Sequence, residues 1–361
     1  MSPSASAAPS APPSATPLFA FPVASGVACP DLKALGLDRA VLRATDPNRT
    51  DVVLCDAQDL AHPRRLAPLA NSEGDVFLTH DLIGYVMATG GGPSSTPDQF
   101  TAVVRTLDLL SGHVTDVATS PGVPLGSGWS ADQSMVAYFT DTGSHHFWLK
   151  RGAAGPAALA PAIPLFGRGG SPDDELLVTF SADGQYVAFV DTFVYRLQIF
   201  RTADGVAVYA APSGGAGGLR TMGAWGHAND VFYFRNNSGV YRWDPAGGIA
   251  VFSSGLKWAS PAFSTSDRLV AYAVVAADGT PHVEIRDPIG GTTVSTTAWR
   301  SAPRFLSDHA LLLEVDQACP PDSMCTGFVP AGKSVVFKLD THTETDLGLS
   351  GWSLGPFWPH A

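Results

Sequence analysis

Two adjacent histidines, His145 and His146, follow Asp141 in the stretch DTGSHHFWLK. Imidazole and carboxylate groups hold divalent cations and move protons near neutral pH. Other polar candidates recur along the chain at Asp191, Arg235, Asp278 and Asp316. Gathered at one point, such a set would support metal-assisted hydrolysis, the chemistry of a hydrolase or a lactonase. The spacing argues for less. Neighbouring residues of a strand project to opposite sides, so only one of His145 and His146 could join a common site. No HxH or HxxxH pair accompanies them, and an exposed loop pair accounts for both. A GxSxG nucleophile elbow is also missing, because GSGWS (126–130) runs into a strand of the repeat described below. The sequence therefore assigns no catalytic residue, no metal ligand and no cofactor.

The four cysteines are a second set that could do chemistry. Cys319 and Cys325 sit in ACPPDSMCTG, a spacing poor for zinc and suited to a small loop disulfide. Cys29 and Cys55 could form a second bridge near the start of the domain. Two bridges would place the protein outside the reducing cytosol, in a periplasmic, secreted or surface-tethered setting. Four idle thiols are the alternative.

These residues hang on a repeat. An aromatic residue, a small residue, an acidic turn and an apolar strand recur in WSADQSMVAYFTD (129–141) and FSADGQYVAFVD (180–191), and in looser form in FSTSDRLVAYAV (263–274), FLSDHALLLEVD (305–316), WGHANDVFYFRN (225–236) and FLTHDLIGYVMA (77–88). The turn positions Asp81, Asp132, Asp183, Asn229, Asp267 and Asp308 are 51, 51, 46, 38 and 41 residues apart, a period that suits a four-stranded propeller blade. Asp and Ser accept hydrogen bonds from the amides a tight turn exposes, so these carboxylates read as structural. Each unit then continues as a second, third and fourth strand separated by Gly- and Asp-rich turns, as in VYRLQIFRTADG followed by VAVYAA. The C-terminal GPFWP (355–359) resembles a first strand with nothing after it, and LDRAVLRATD (37–46) resembles a second strand with nothing before it. Joined, they complete one blade and close a ring without a free edge. The expectation is an all-β, seven-bladed β-propeller of four-stranded antiparallel blades, with second strands near 39–45, 82–88, 134–140, 185–191, 230–235, 268–275 and 310–316. Six blades are the alternative, if 72–120 is an insertion. Asp31–Arg39 is the best short-helix candidate.

WSADQSMVAY and FSADGQYVAF resemble the PD40, or TolB-like, propeller repeat, with Ala where that family's turn has Pro. The resemblance spans residues 38–361 and implies the fold, a relative of the WD40-like propellers, but no activity. No stretch reads as the N-terminal α/β domain of TolB or as the hydrolase domain of the prolyl oligopeptidases.

Residues 1–20, rich in Ala, Ser and Pro, read as a flexible tether ahead of a single propeller domain over 21–361. The net charge of −11 argues against nucleic acid and against an anionic membrane surface. No apolar run approaches the ~20 residues of a membrane span. In a propeller the loops between second and third strands share one face, here near 89–100, 141–146, 191–194, 235–239, 276–281 and 316–333. The first and last are the longest and flank the closing blade. Asp141, His145, His146, Asp191, Arg235, Asp278 and Asp316 all fall on this face and are its candidate binding residues. Two functions fit. One is a non-catalytic, monomeric scaffold presenting this face to a protein or peptide partner. The other is a metal-assisted hydrolase or lactonase-like enzyme at the mouth of the central channel.

Overall fold

The computed structural model describes residues 21–44, 51–70, 72–92, 94–159, 163–164, 176–191, 196–211, 221–227, 230–236, 239–254, 259–287, 293–320 and 327–359. The expected tether at 1–20 lies outside them. Seven antiparallel sheets form a β-propeller. Within each blade the strands are lettered A to D from the channel outward. Blade 1 is the composite: strand A is Trp352–Pro359, followed by Leu37–Ala44, Val52–Asp56 and Arg64–Arg65. The terminal strand pairs antiparallel with Leu37–Ala44, setting Trp352 opposite Ala44 and Phe357 opposite Ala40. Blade 2, over Ser72–Pro121, is a complete four-stranded sheet, which removes the six-bladed alternative. Blade 3 departs from the four-stranded pattern, because Ile163–Pro164 adds beside the start of its strand C.

The repeated Ser has a specific task. Its hydroxyl accepts the backbone N–H that opens strand B: Met135 on Ser130 at 3.0 Å, Tyr186 on Ser181 at 3.0 Å and Leu269 on Ser264 at 3.1 Å. Thr79 does the same for Leu82 at 3.0 Å. Asp132 and Asp183 then accept from the Ser130 and Ser181 hydroxyls, closing the turn on itself. Asp267 and Asp308 reach across instead, accepting His227 N–H at 2.7 Å and Ser266 N–H at 3.2 Å from the turn of the preceding blade. These carboxylates are structural, as the turn chemistry requires, and some of them also join blades.

Strand alternation explains the core. In strand B of blade 4, Val187 and Phe189 pack toward blade 3, while Ala188 and Val190 pack toward blade 5. Among the described residues the core is seven separate clusters, one at each junction between adjacent blades. Aromatic residues dominate several. Phe147 stacks on Phe189 at 4.8 Å, and Trp225 meets Trp243 edge-on at 6.0 Å while its Nε1–H donates to Thr179 O. The expected helix at Asp31–Arg39 is only a 3₁₀ turn, Lys33–Leu35. Gly36 ends it at φ 69°, and strand B of blade 1 begins at the next residue. No helix among the described residues is long and apolar enough to cross a membrane.

Candidate functional site

The face bearing the B–C loops is uneven. In blade 2, strands Leu82–Gly90 and Phe100–Asp108 keep pairing for three residues beyond Met87, the last residue of strand B opposite strand A. In blade 7, Ala310–Ala318 and Phe328–Lys338 likewise continue for three pairs past Val315. At ~3.3 Å per residue, each hairpin stands about 10 Å above its own strand A. Blades 3 and 4 have no such extension: their strands A and B end level, Val123 opposite Asp141 and Leu176 opposite Asp191. The two tall hairpins flank blade 1. The blade 2 tip has built geometry. Thr96 and Gln99 form a capping box around the turn Pro97–Gln99, Gly92 N–H donates to Ser95 Oγ at 2.7 Å, and Gly91 at φ 63° lies under the Phe100 ring. At the blade 7 tip Cys319 is disulfide-bonded, and its N–H donates to Gly327 O at 3.3 Å. Cys325, its expected partner, lies outside the described residues. The other expected bridge, Cys29–Cys55, is formed.

The candidate residues divide between blades. Asp141, His145 and His146 lie together on blade 3. Asp141 is buried, and its Oδ1 accepts Gly143 N–H at 2.7 Å across the turn. His145 is 4% exposed and meets the Phe139 ring edge-on. His146 points to the other side, pairs with Thr142 Oγ1 at 2.9 Å and stacks on Trp148. The opposite orientations follow from strand alternation. Asp191 ends strand B of blade 4, its backbone opposite Leu176 and Arg196. Arg235 stands on blade 5, half-buried, opposite Thr221 and Val240. Asp278 is exposed on blade 6, and its carboxyl is held below the usual range by the backbone N–H of Thr280. No three His, Cys, Asp or Glu side chains converge as metal ligands among the described residues.

Asp316 differs from the rest. It is 4% exposed at the base of the blade 7 overhang, and neither carboxylate oxygen has a hydrogen-bond partner within 3.5 Å among the described residues. Burial pushes its pKa up to about 6; Glu314 adds to the shift, and Ser301 and Arg300 oppose it. Arg300 gives limited help because its guanidinium is committed to Glu344, through Nε at 3.0 Å and Nη2 at 2.5 Å.

A second region is one the sequence reading missed. The central channel holds a cavity of about 570 Å³. Phe77, Trp129, Phe180 and Phe357 line it with Arg43 and Arg304. Gly84 leaves room for the Trp129 ring, and Gly128 lets blade 3 approach Val178 O. Arg304 carries a readable signal, since a cation inside a strand A (RSAPRFLS) sits on the strand that lines a propeller channel. Arg43 carries none, because it belongs to a strand B.

No protein-family model matches the chain, and no curated protein does. Among solved structures the chain is similar to prolyl endopeptidases, with a TM-score of 0.57 and 14% identity over 91% of this chain and 52% of theirs, so it spans about half their length. It is similar to a periplasmic gluconolactonase, PpgL, of Pseudomonas aeruginosa, with a TM-score of 0.52 and 14% identity over 88% of this chain and 99% of that one. A third is TolB of Acinetobacter baumannii, with a TM-score of 0.43 and 12% identity over 87% of this chain and 80% of that one. At these identities the likeness is one of fold, the β-propeller.

Proposed function

We propose that this propeller is a non-catalytic binding scaffold whose B–C face receives a protein or peptide partner, seated on blade 1 between the hairpins of blades 2 and 7. The observation that carries the reading is the pair of overhangs, each three residue pairs long and one on either side of the closing blade. A rigid scaffold with elaborated loops on one face is the usual arrangement for binding. The scattering of the polar candidates over separate blades supports the same reading. The Cys29–Cys55 disulfide supports an extracytoplasmic setting, where such bonds persist. Protein–protein binding here needs no oligomer of the propeller, and we take it to act as a monomer.

The test compares the full chain with a variant in which 88–102 and 316–330 are replaced by two-residue Asn-Gly turns. Partners captured by the full chain and lost by the folded variant support the scaffold. Identical capture profiles would contradict it. The enzyme reading makes a separate prediction: stoichiometric metal by elemental mass spectrometry, with a melting temperature that a chelator lowers and a His145→Ala/His146→Ala variant that no longer binds the metal.

A further inference from the structure

We infer that the central channel is a binding site for a small organic anion that carries a planar, apolar body, such as an aromatic carboxylate. The cavity of about 570 Å³ falls in the range that encloses small molecules. Its described lining is basic, whereas the chain as a whole is acidic. The chain carries −11 overall, yet the described lining contains two guanidinium groups and no carboxylate. Arg43 is steered by blade 2, its Nη2 donating to Ser72 Oγ at 3.1 Å. Arg304 is half-buried and makes no hydrogen bond or ion pair with any described residue. Its guanidinium lies against the backbone of Gly355, where any side chain would collide with it. A guanidinium that faces a cavity and has no partner among the described residues is open to an anionic acceptor, and its planar fork matches a carboxylate.

The rest of the wall selects the body of the ligand. Phe77 and Trp129 stack on each other at 6.2 Å, and Phe180 and Phe357 complete an aromatic lining. Aromatic walls favour a flat apolar group over a free inorganic ion. Trp129 Nε1–H is buried without an acceptor among the described residues, a further donor in the wall. This site is separate from the loop face, and its success or failure leaves the scaffold reading untouched.

The experiment titrates the full-length protein with 2-naphthoate and with its neutral isostere 2-naphthamide, by calorimetry and by tryptophan fluorescence. We expect one-to-one binding of the acid and at least tenfold weaker binding of the amide, the order of a charge-assisted pair. Arg304→Met should reduce the acid to the level of the amide with the thermal midpoint unchanged, and Gly355→Ala should weaken it similarly by displacing the guanidinium. Should either variant fail to fold, the acid-to-amide ratio on the wild-type protein still decides. Equal affinity for the two probes, or no saturation by the acid at millimolar concentration, would overturn the proposal.

Discussion

Asp316 carries a penalty that Ser301 and Arg300 relieve only in part. A carboxylate needs water or donors, and here both oxygens have lost water while the nearest guanidinium is held by Glu344. Its proton is therefore bound more tightly in the folded chain than in the unfolded one, with the pKa moving from 3.8 to about 6. The sign follows from linkage. Below pH ~4 the group is protonated in both states and costs nothing. Between pH 4 and 6 the unfolded chain ionises first, so stability falls as pH rises, and above pH 6 the loss is complete. At ~1.4 kcal/mol per pK unit the loss approaches ~3 kcal/mol. Asp316→Asn should remove this slope, so its stability relative to wild type improves between pH 4 and pH 7 in urea titrations; parallel profiles would contradict the assignment. Single residues were unevenly legible. The Ser–Asp turns could be read because their hydrogen bonds are local, as between Ser181 and Asp183. Asp267 could be identified as a turn residue, but not as a bond to the preceding blade, because His227 is 40 positions away. That Arg304 has no hydrogen-bond or ion-pair partner among the described residues was illegible for the same reason: it depends on side chains that other blades place around it.

Elements were read more easily than residues. The strand B positions follow from the repeat to within about two residues, because an apolar run after an acidic turn has one stable register against a buried face. The short helix expected at Asp31–Arg39 yields to blade closure, since Leu37 and Ala40 are needed at the junction with blade 7. The segment before blade 1 is pinned covalently by Cys29–Cys55, with a sequence separation of 26. Chain-entropy arguments give ~3.5 kcal/mol for a loop of that length. Replacing both cysteines by Ser should lower stability by about that amount in denaturant titrations. A change below ~1 kcal/mol would mean that the N-terminal segment is held by packing alone. The overhangs of blades 2 and 7 were legible as long loops, but their height was not, because it depends on where strand A stops opposite each hairpin.

The whole molecule is a ring of seven similar junctions, and its stability rests on closure. Strand A of blade 1 comes from the far end of the chain, with Trp352 and Leu354 buried at the junction of blades 7 and 1. A chain ending at Gly351 should leave the inner edge of Leu37–Ala44 unpaired and the ring open. We expect oligomers or aggregates by light scattering and loss of cooperative unfolding; a monomer that unfolds cooperatively would contradict closure by the terminal strand. The closed ring also fixes which face carries the tall hairpins, and that is the basis of the functional reading. The most direct measurement is site-specific photocrosslinking in the native setting, with benzoylphenylalanine placed at exposed positions of both faces: Thr96 and Gln317 on the B–C face, Gln185 and Ser266 on the opposite one. The scaffold account predicts one shared partner crosslinked from Thr96 and Gln317 and none from Gln185 or Ser266. Crosslinks confined to Gln185 and Ser266, or equal from both faces, would contradict it.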